Sequence, residues 1–329
     1  MTSDASERAR LGHWSILIPP RRTSRYNFGM RNTMLVVLLF MFFAAQPSHA
    51  QQPATAAAPI PNTGPVHENI AYGAPGGPTL LLDIFEPAAE AGSRPRPAVI
   101  LIHGGGWTSF DKSTMRALAQ FLARAGFVAV PIDYRLFHDD ANRWPAQLDD
   151  VQRAVRWLRA SSAKYNVDPH RIGAYGHSAG GQLALMLGML ETRDNSDRAL
   201  AKYSSKVEAV VDASGPTDLT THQSDEDDMK FLAAFLGADY ASHPDVWREA
   251  SPVFHAAKSN APILIIHGTR DEMVPIAQAE ELNDALTKAG GNVKFLRLDS
   301  DHMFHEPLAH RQLALETQAF FERYLAPAP

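Results

Sequence analysis

Apolar residues along this chain fall into two alternating rhythms. Pro97 to His103 (PAVILIH), Phe127 to Tyr134 (FVAVPIDY), Val207 to Ala213 and Pro262 to His267 are short runs with little polar interruption. That length and density suit strands buried on both faces. Leu80 to Phe85 reads as an earlier strand with a shorter partner near Asn69 to Tyr72, and Val293 to Leu298 reads as the last strand. Between these runs the apolar positions recur at helical spacing. Met115, Leu118, Ala119 and Leu122 do so within Ser113 to Ala125, and Val151, Val155 and Leu158 within Gln147 to Tyr165. Ile276 to Ala289 and Arg311 to Leu325 are the late helices, while Gly126 and Gly290-Gly291 act as stops. Arg171 to His177 is a strand that hands over, across Ser178, to a run of helix formers at Gln182 to Leu187.

Strands alternating with helices predict an α/β fold: a mostly parallel central sheet with helices on both faces. No internal repeat and no linker interrupts the stretch 66–329, which reads as one domain. The alternation breaks at about 217–250. That segment carries an acidic run, Asp225 to Asp228, and a short apolar helix around Phe231, Leu232, Phe235 and Leu236. An insertion there would hang over the strand ends as a small cap; an ordinary surface excursion fits the pattern equally well. The acidic run lacks the spacing of a calcium loop and reads as a solvated face.

Composition narrows the class. The 329 residues are 45% hydrophobic and 20% charged, with a net charge of −5 and no sustained basic stripe, so no nucleic-acid partner is expected. The cysteine count of zero excludes disulfides, thiolate catalysis and cysteine metal sites. Leu35 to Ala45 is an uncharged apolar run, preceded by Arg31 and followed by Ser48-His49-Ala50. Small residues at −3 and −1 predict a signal peptide cleaved near Ala50, hence an exported protein, with an uncleaved anchor as the alternative. The run falls short of the ~20 residues of a spanning helix, so no membrane span is expected in the mature chain. The arginine-bearing stretch before it suggests either a start at Met30 or Met34, or a twin-arginine signal at Arg21-Arg22. Residues 1–50 are therefore extension and signal, and 51–65, rich in Ala and Pro, a flexible leader.

The chemistry centres on Gly176-His177-Ser178-Ala179-Gly180. A serine on a sharp strand-to-helix turn needs small neighbours, and the turn pushes its hydroxyl out of the sheet. Serine becomes a nucleophile when a base takes its proton and an acid orients that base. On this kind of turn the acid and then the histidine follow in the chain, each just beyond a late strand. Asp271 follows the strand ending at His267, and His302 follows the final strand. His302 is favoured over His305 because it lies nearer the strand end. An oxyanion needs preorganised donors, and His103-Gly104-Gly105-Gly106-Trp107 supplies a glycine loop after a buried strand. Gly105, Gly106 and Ala179 are the expected donors, with Gly104 in reserve. A phosphate loop would need Gly-Lys-Ser/Thr or G-x-G-x-x-G, which the segment lacks. Trp107 and His177 are the expected substrate-facing side chains. Pocket shape is expected to depend also on Phe110 and Phe137. His103 is expected to brace the glycine loop. Asp133 and Arg135 are expected to form a structural ion pair.

HGGGW at 103–107 with GHSAGG at 176–181 resembles the α/β-hydrolase superfamily. Within it, the resemblance is to hormone-sensitive-lipase-like carboxylesterases and the related bacterial feruloyl and acetylxylan esterases. Asp133-Tyr134-Arg135, Trp144-Pro145-Ala146, Asp149-Asp150 and Ser251-Pro252 resemble that branch too. The similarity spans about 66 to 325. It implies an α/β-hydrolase fold, a Ser178–Asp271–His302 triad and hydrolysis of acyl esters. One departure concerns the base: the family pattern Gly-x-Gly-His-Gly-Phe is Asp299-Ser300-Asp301-His302-Met303-Phe304 here, which keeps His305 open.

The sequence therefore predicts a serine carboxylesterase acting through an acyl-enzyme, on small-molecule or polysaccharide-linked esters, with no metal or organic cofactor. An exported acetylxylan or feruloyl esterase is the alternative within enzymes. An inactive hydrolase fold used as a ligand-binding protein is the alternative outside them.

Overall fold

The computed structural model describes residues 63–73, 79–88, 94–221 and 226–326. The apolar run 35–45, the cleavage position near Ala50 and most of the leader lie outside the described residues. Among the described residues, eight strands form one sheet: β1 (Thr63–Gly73), β2 (Leu80–Pro87), β3 (Arg96–Ile102), β4 (Val128–Ile132), β5 (Val167–His177), β6 (Ala209–Ala213), β7 (Ile263–Gly268) and β8 (Val293–Leu298). Their order is β1-β2-β4-β3-β5-β6-β7-β8. β1 and β2 pair antiparallel, as do β2 and β4, and every later pairing is parallel. β1 begins at Thr63, so the last three residues read as leader already belong to the sheet.

Seven α-helices are described: α1 (Arg116–Arg124), α2 (Ala146–Ala160), α3 (Ala179–Met189), α4 (Glu226–Leu236), α5 (Pro244–Glu249), α6 (Ala277–Lys288) and α7 (Pro307–Tyr324). The side-chain alternation of the strands divides the core in two. Ala98, Ile100 and Ile102 of β3 face one cluster with α2, α3 and α6; Val99 and Leu101 face the other with α1 and α7. All of these strand residues are fully buried, and each large aliphatic one contributes about 1.5–3 kcal/mol of transfer free energy. α3 is apolar apart from Gln182 and buried along its whole length, as suits a helix clamped between sheet and outer layer.

Register fixes where the loops emerge. Ile102 pairs with Gly176, so the glycine loop and the serine turn leave neighbouring strands side by side. Gly268 pairs with Leu298, which does the same for the segments carrying Asp271 and His302. Those two segments are stitched further, since Thr269 N–H donates to Leu298 O at 2.8 Å and Arg270 N–H to Ser300 O at 2.9 Å. The excursion after β6 lays α4 over the glycine loop. Phe235 stacks on Trp107 with ring centroids 4.6 Å apart, and Trp144 N–H donates to Phe235 O at 3.0 Å. Glu226, Asp227 and Asp228 of the acidic run form the first turn of α4, where carboxylates complement the helix dipole. No described helix is long and apolar enough to cross a membrane.

Candidate active site

The serine turn is held by backbone crowding that only glycine permits. A Cβ on Gly176 would collide with the Gly180 carbonyl, and one on Gly180 would collide with the carbonyls of Ile102 and His103. Ser178 between them sits at φ 55°, ψ −125°, a conformation costing about 1–3 kcal/mol for a non-glycine residue. The turn is anchored because Ser178 N–H donates to Ala213 O of β6 at 2.8 Å. The serine is half-buried, at the start of α3 and at the carboxyl end of the parallel strands.

Asp271 and His302 meet against the serine turn, where the His302 ring lies 5.1 Å from that of His177. His302 Nδ1 lies 2.7 Å from Asp271 Oδ2, and both residues are buried. A ring nitrogen facing a carboxylate carries the proton, so Nε2 of His302 is left to act as acceptor. Met273 and Val274 N–H donate to Asp271 Oδ1 at 3.0 and 2.8 Å. Burial pushes the Asp271 carboxyl up, but hydrogen bonds from His267 and His302, the His302 charge and the Val274 N–H outweigh it. The carboxyl is held well below the usual carboxylate range. No hydrogen bond joins Ser178 Oγ to another described residue.

His305 does not share this environment. Its side chain is 74% exposed and its Nδ1 pairs with Asp301 Oδ2 at 2.6 Å. The same Asp301 carboxylate accepts the N–H groups of Met303 and His305 at 3.1 Å each, capping the loop from below.

The glycine loop is fixed from its buried side. His103 is fully buried, stacks on Tyr134 at 4.3 Å and donates Nδ1–H to Gly104 O at 2.8 Å. Burial lowers its pKa to about 4, partly offset by the Gly104 carbonyl and Asp111. Tyr134 Oη–H reaches the carbonyls of His103 and Gly104 at 3.1 and 3.2 Å. His103 thus braces the loop as its position suggested. Gly104 faces the serine closely: a Cβ there would stand 3.1 Å from Ser178 Cβ. Gly105 adopts φ +100° and Gly106 φ +56°, conformations that glycine accepts without strain. Thr108 and Ser109 N–H close the turn on Gly105 O at 3.0 Å. Among the described residues no acceptor takes the N–H of Gly105, Gly106 or Ala179.

The polar atoms of Trp107 and His177 are engaged within the protein. Trp107 is 4% exposed, its indole N–H donates to Gln182 Oε1 at 3.2 Å, and Gln182 Nε2 in turn donates to Ala250 O at 2.8 Å. It is the wall that ties the glycine loop to α3 and to the excursion. His177 Nε2 lies 2.9 Å from His302 O, and burial together with repulsion from the His302 ring lowers its pKa to about 4. It is therefore an uncharged donor that steadies the backbone of the base. One expectation is corrected here: Asp133 and Arg135 do not pair with each other. Arg135 instead forks onto Asp150 of α2, with four contacts at 2.7–3.0 Å, and Asp133 accepts Lys112 N–H at 2.8 Å. β4 has ended at Ile132, so Arg135 is free to turn toward α2. Of the remaining pocket candidates, Phe110 is 57% exposed, whereas Phe137 is buried against Phe235 with centroids 5.8 Å apart.

Sequence reasoning missed Gln182 and His267. Gln182 was read only as a helix former, and His267 only as the last residue of a strand. A polar residue on an otherwise apolar buried element was the available signal in both.

The family model BD-FAE matches residues 82–286. The chain is similar to Esterase LipQ of Mycobacterium tuberculosis, 32% identical over 238 residues, covering 71% of this chain and 56% of the relative. Esterase LipC of the same organism is 31% identical over 216 residues, covering 64% and 52%. The chain thus spans about half the length of the curated relatives it matches. Among solved structures, the propionate-bound Est2 esterase of Thermogutta terrifontis superimposes with a TM-score of 0.69 at 26% identity, covering 80% of this chain and 97% of that one. A truncated carbohydrate esterase from gut microbiota gives 0.69 at 28%, covering 81% and 98%.

Proposed function

Because this chain belongs to the BD-FAE family, with the α/β-hydrolase fold, we propose that it hydrolyses carboxylic esters through an acyl-enzyme. Ser178 attacks the carbonyl carbon, and His302 Nε2 takes the hydroxyl proton and returns it to the leaving alcohol. Asp271 fixes the His302 tautomer and stabilises the imidazolium. The N–H groups of Gly105, Gly106 and Ala179 receive the oxyanion, each worth about 3 kcal/mol in the transition state. Water then repeats the attack on the acyl-enzyme, with His302 again as base.

One observation carries the reading: a buried His302–Asp271 pair at 2.7 Å packs against His177, next in sequence to a serine held at φ 55° on a glycine-crowded turn. The test is Ser178→Ala assayed on a short p-nitrophenyl ester, with labelling by a fluorophosphonate probe. Loss of both turnover and labelling, with the thermal transition retained, is the expected result. Turnover that survives the substitution refutes the serine route, and a native chain that neither turns over nor labels is the inactive ligand-binding fold.

We further propose small acyl groups. The Trp107–Phe235 stack occupies the space beside the donor loop, and a related Est2 structure is described as propionate-bound. A polysaccharide-linked ester is the second reading, favoured by the likeness to a carbohydrate esterase. A panel of acetyl, butyryl and longer p-nitrophenyl esters, acetylated xylan and methyl ferulate separates the two. Export is proposed from the apolar run 35–45 alone, and the N-terminal sequence of the secreted protein tests it.

A further inference from the structure

His267 ends β7, is fully buried, and plays no part in the steps above. Its Nε2 lies 2.8 Å from Val274 O and 3.3 Å from Asp271 Oδ2. Both neighbours are acceptors, so Nε2 carries the proton and shares it between them. Nδ1 is buried with no partner among the described residues. The ring is therefore placed for the sake of Nε2.

The oxygen it approaches matters. Asp271 Oδ1 is already occupied by the N–H groups of Met273 and Val274, and Oδ2 by His302 Nδ1. A carboxylate has about four lone-pair sites. His267 supplies the fourth donor, on the same oxygen that orients the base. It also grips the carbonyl of Val274, whose N–H holds the other oxygen, so the segment from His267 to Val274 closes on itself around the carboxylate.

We propose that His267 is a positioning residue of the hydrolytic site: through Oδ2 of Asp271 it sets the orientation and the charge density that His302 meets. This rests on the ester-hydrolase reading above. The simpler alternative is a turn brace that acts only through Val274 O. The two differ in what happens to His302. With His267 gone, Oδ2 loses a donor and concentrates its charge on His302, so the imidazolium is favoured. The titratable groups bearing on this pair are His177 from the elbow, Asp271 itself, and Asp212 of β6, which faces His267.

The experiment uses three variants of the full chain on a short p-nitrophenyl ester. His267→Gln can place an amide N–H where Nε2 stood. His267→Asn has an amide that falls short of Oδ2, and His267→Leu has no donor. Leu and Asn should lower kcat by roughly 10- to 100-fold with KM within about twofold. The acid limb of kcat/KM should move to higher pH by about half a unit or more, and Gln should recover most of the lost kcat. Should the Leu protein fail to fold, the Asn and Gln pair gives the same comparison. Wild-type rates in Leu or Asn, equal loss in all three, or a lowered thermal transition with an unmoved acid limb would each overturn the proposal. An inactive wild type, or turnover that survives Ser178→Ala, would instead overturn the ester-hydrolase reading, so the two failures are distinguishable.

Discussion

Replacing His302 by glutamine removes the imidazole that stands between Asp271 and the serine turn, whereas replacing His305 removes one that faces solvent. A positioned general base contributes roughly 10²–10⁴ to the rate, and a thousandfold loss corresponds to about 4 kcal/mol of barrier. Asp271 acts only through the ring at 2.7 Å, so its share disappears with it. His302→Gln should therefore cost at least a thousandfold in kcat. His305→Gln loses an exposed pair with Asp301, which at a surface is worth about 0–1 kcal/mol of stability and nothing in the reaction. The two backbone N–H groups that Asp301 accepts survive the change, so the loop keeps its shape. Initial rates on p-nitrophenyl acetate and butyrate, with active-site titration to count competent serines, give both numbers. The reasoning fails if His305→Gln is the inactive variant, or if the two lose comparable activity.

Three further outcomes follow from contacts elsewhere in the sheet. Asp212 is fully buried, and burial raises its carboxyl to about 7 despite His267 nearby and the Gly215 N–H. An acid whose folded pKa exceeds its unfolded value near ~3.9 favours the folded state below about pH 4 and loses that advantage as pH rises toward 7. The thermal midpoint of Asp212→Asn should accordingly gain on wild type between pH 4 and pH 8; a constant difference would contradict the shift. Gly176→Ala drives a methyl into the Gly180 carbonyl and should yield little folded protein, which soluble expression and circular dichroism would show. Arg135→Leu leaves the Asp150 carboxylate, whose side chain is 1% exposed, without its forked partner. A buried charge stranded in this way costs about 3–5 kcal/mol, or ~10 °C in the melting temperature of a domain this size, with Asp150→Asn in the same background restoring part of it.

Much of the fold was legible because strands buried on both faces cannot hide their composition. β3, β4 and β7 are found within a residue or two of where their apolar runs lie. Boundaries moved where a local rule overrode the pattern. The helix expected to reach Tyr165 ends at Ala160, because Ser161 to Lys164 turn to feed β5. The last helix starts at Pro307 rather than Arg311, since a proline at the first position already has the required φ. The serine turn, the glycine loop and the order of acid and histidine were readable because each needs a fixed residue type at a fixed place. Contacts between elements distant in sequence were not. Nothing in the spacing says that Trp107 gives its N–H to Gln182, that His177 reaches the backbone of His302, or that Arg135 prefers Asp150 to Asp133. Those depend on which strands become neighbours, and hydrophobic periodicity does not encode neighbours.

The placement of β8 at the open end of the sheet has a consequence for the life of the chain before it is complete. The glycine loop, the nucleophile and the acid all precede residue 272, and the strand that delivers His302 is both the last in sequence and the outermost in the sheet. A domain folds as a unit, so a chain still lacking β8 and the helix after it has neither its finished core nor the base proposed for Ser178. In the proposed mechanism turnover requires that final segment, so its first appearance after synthesis would time the completion of the fold.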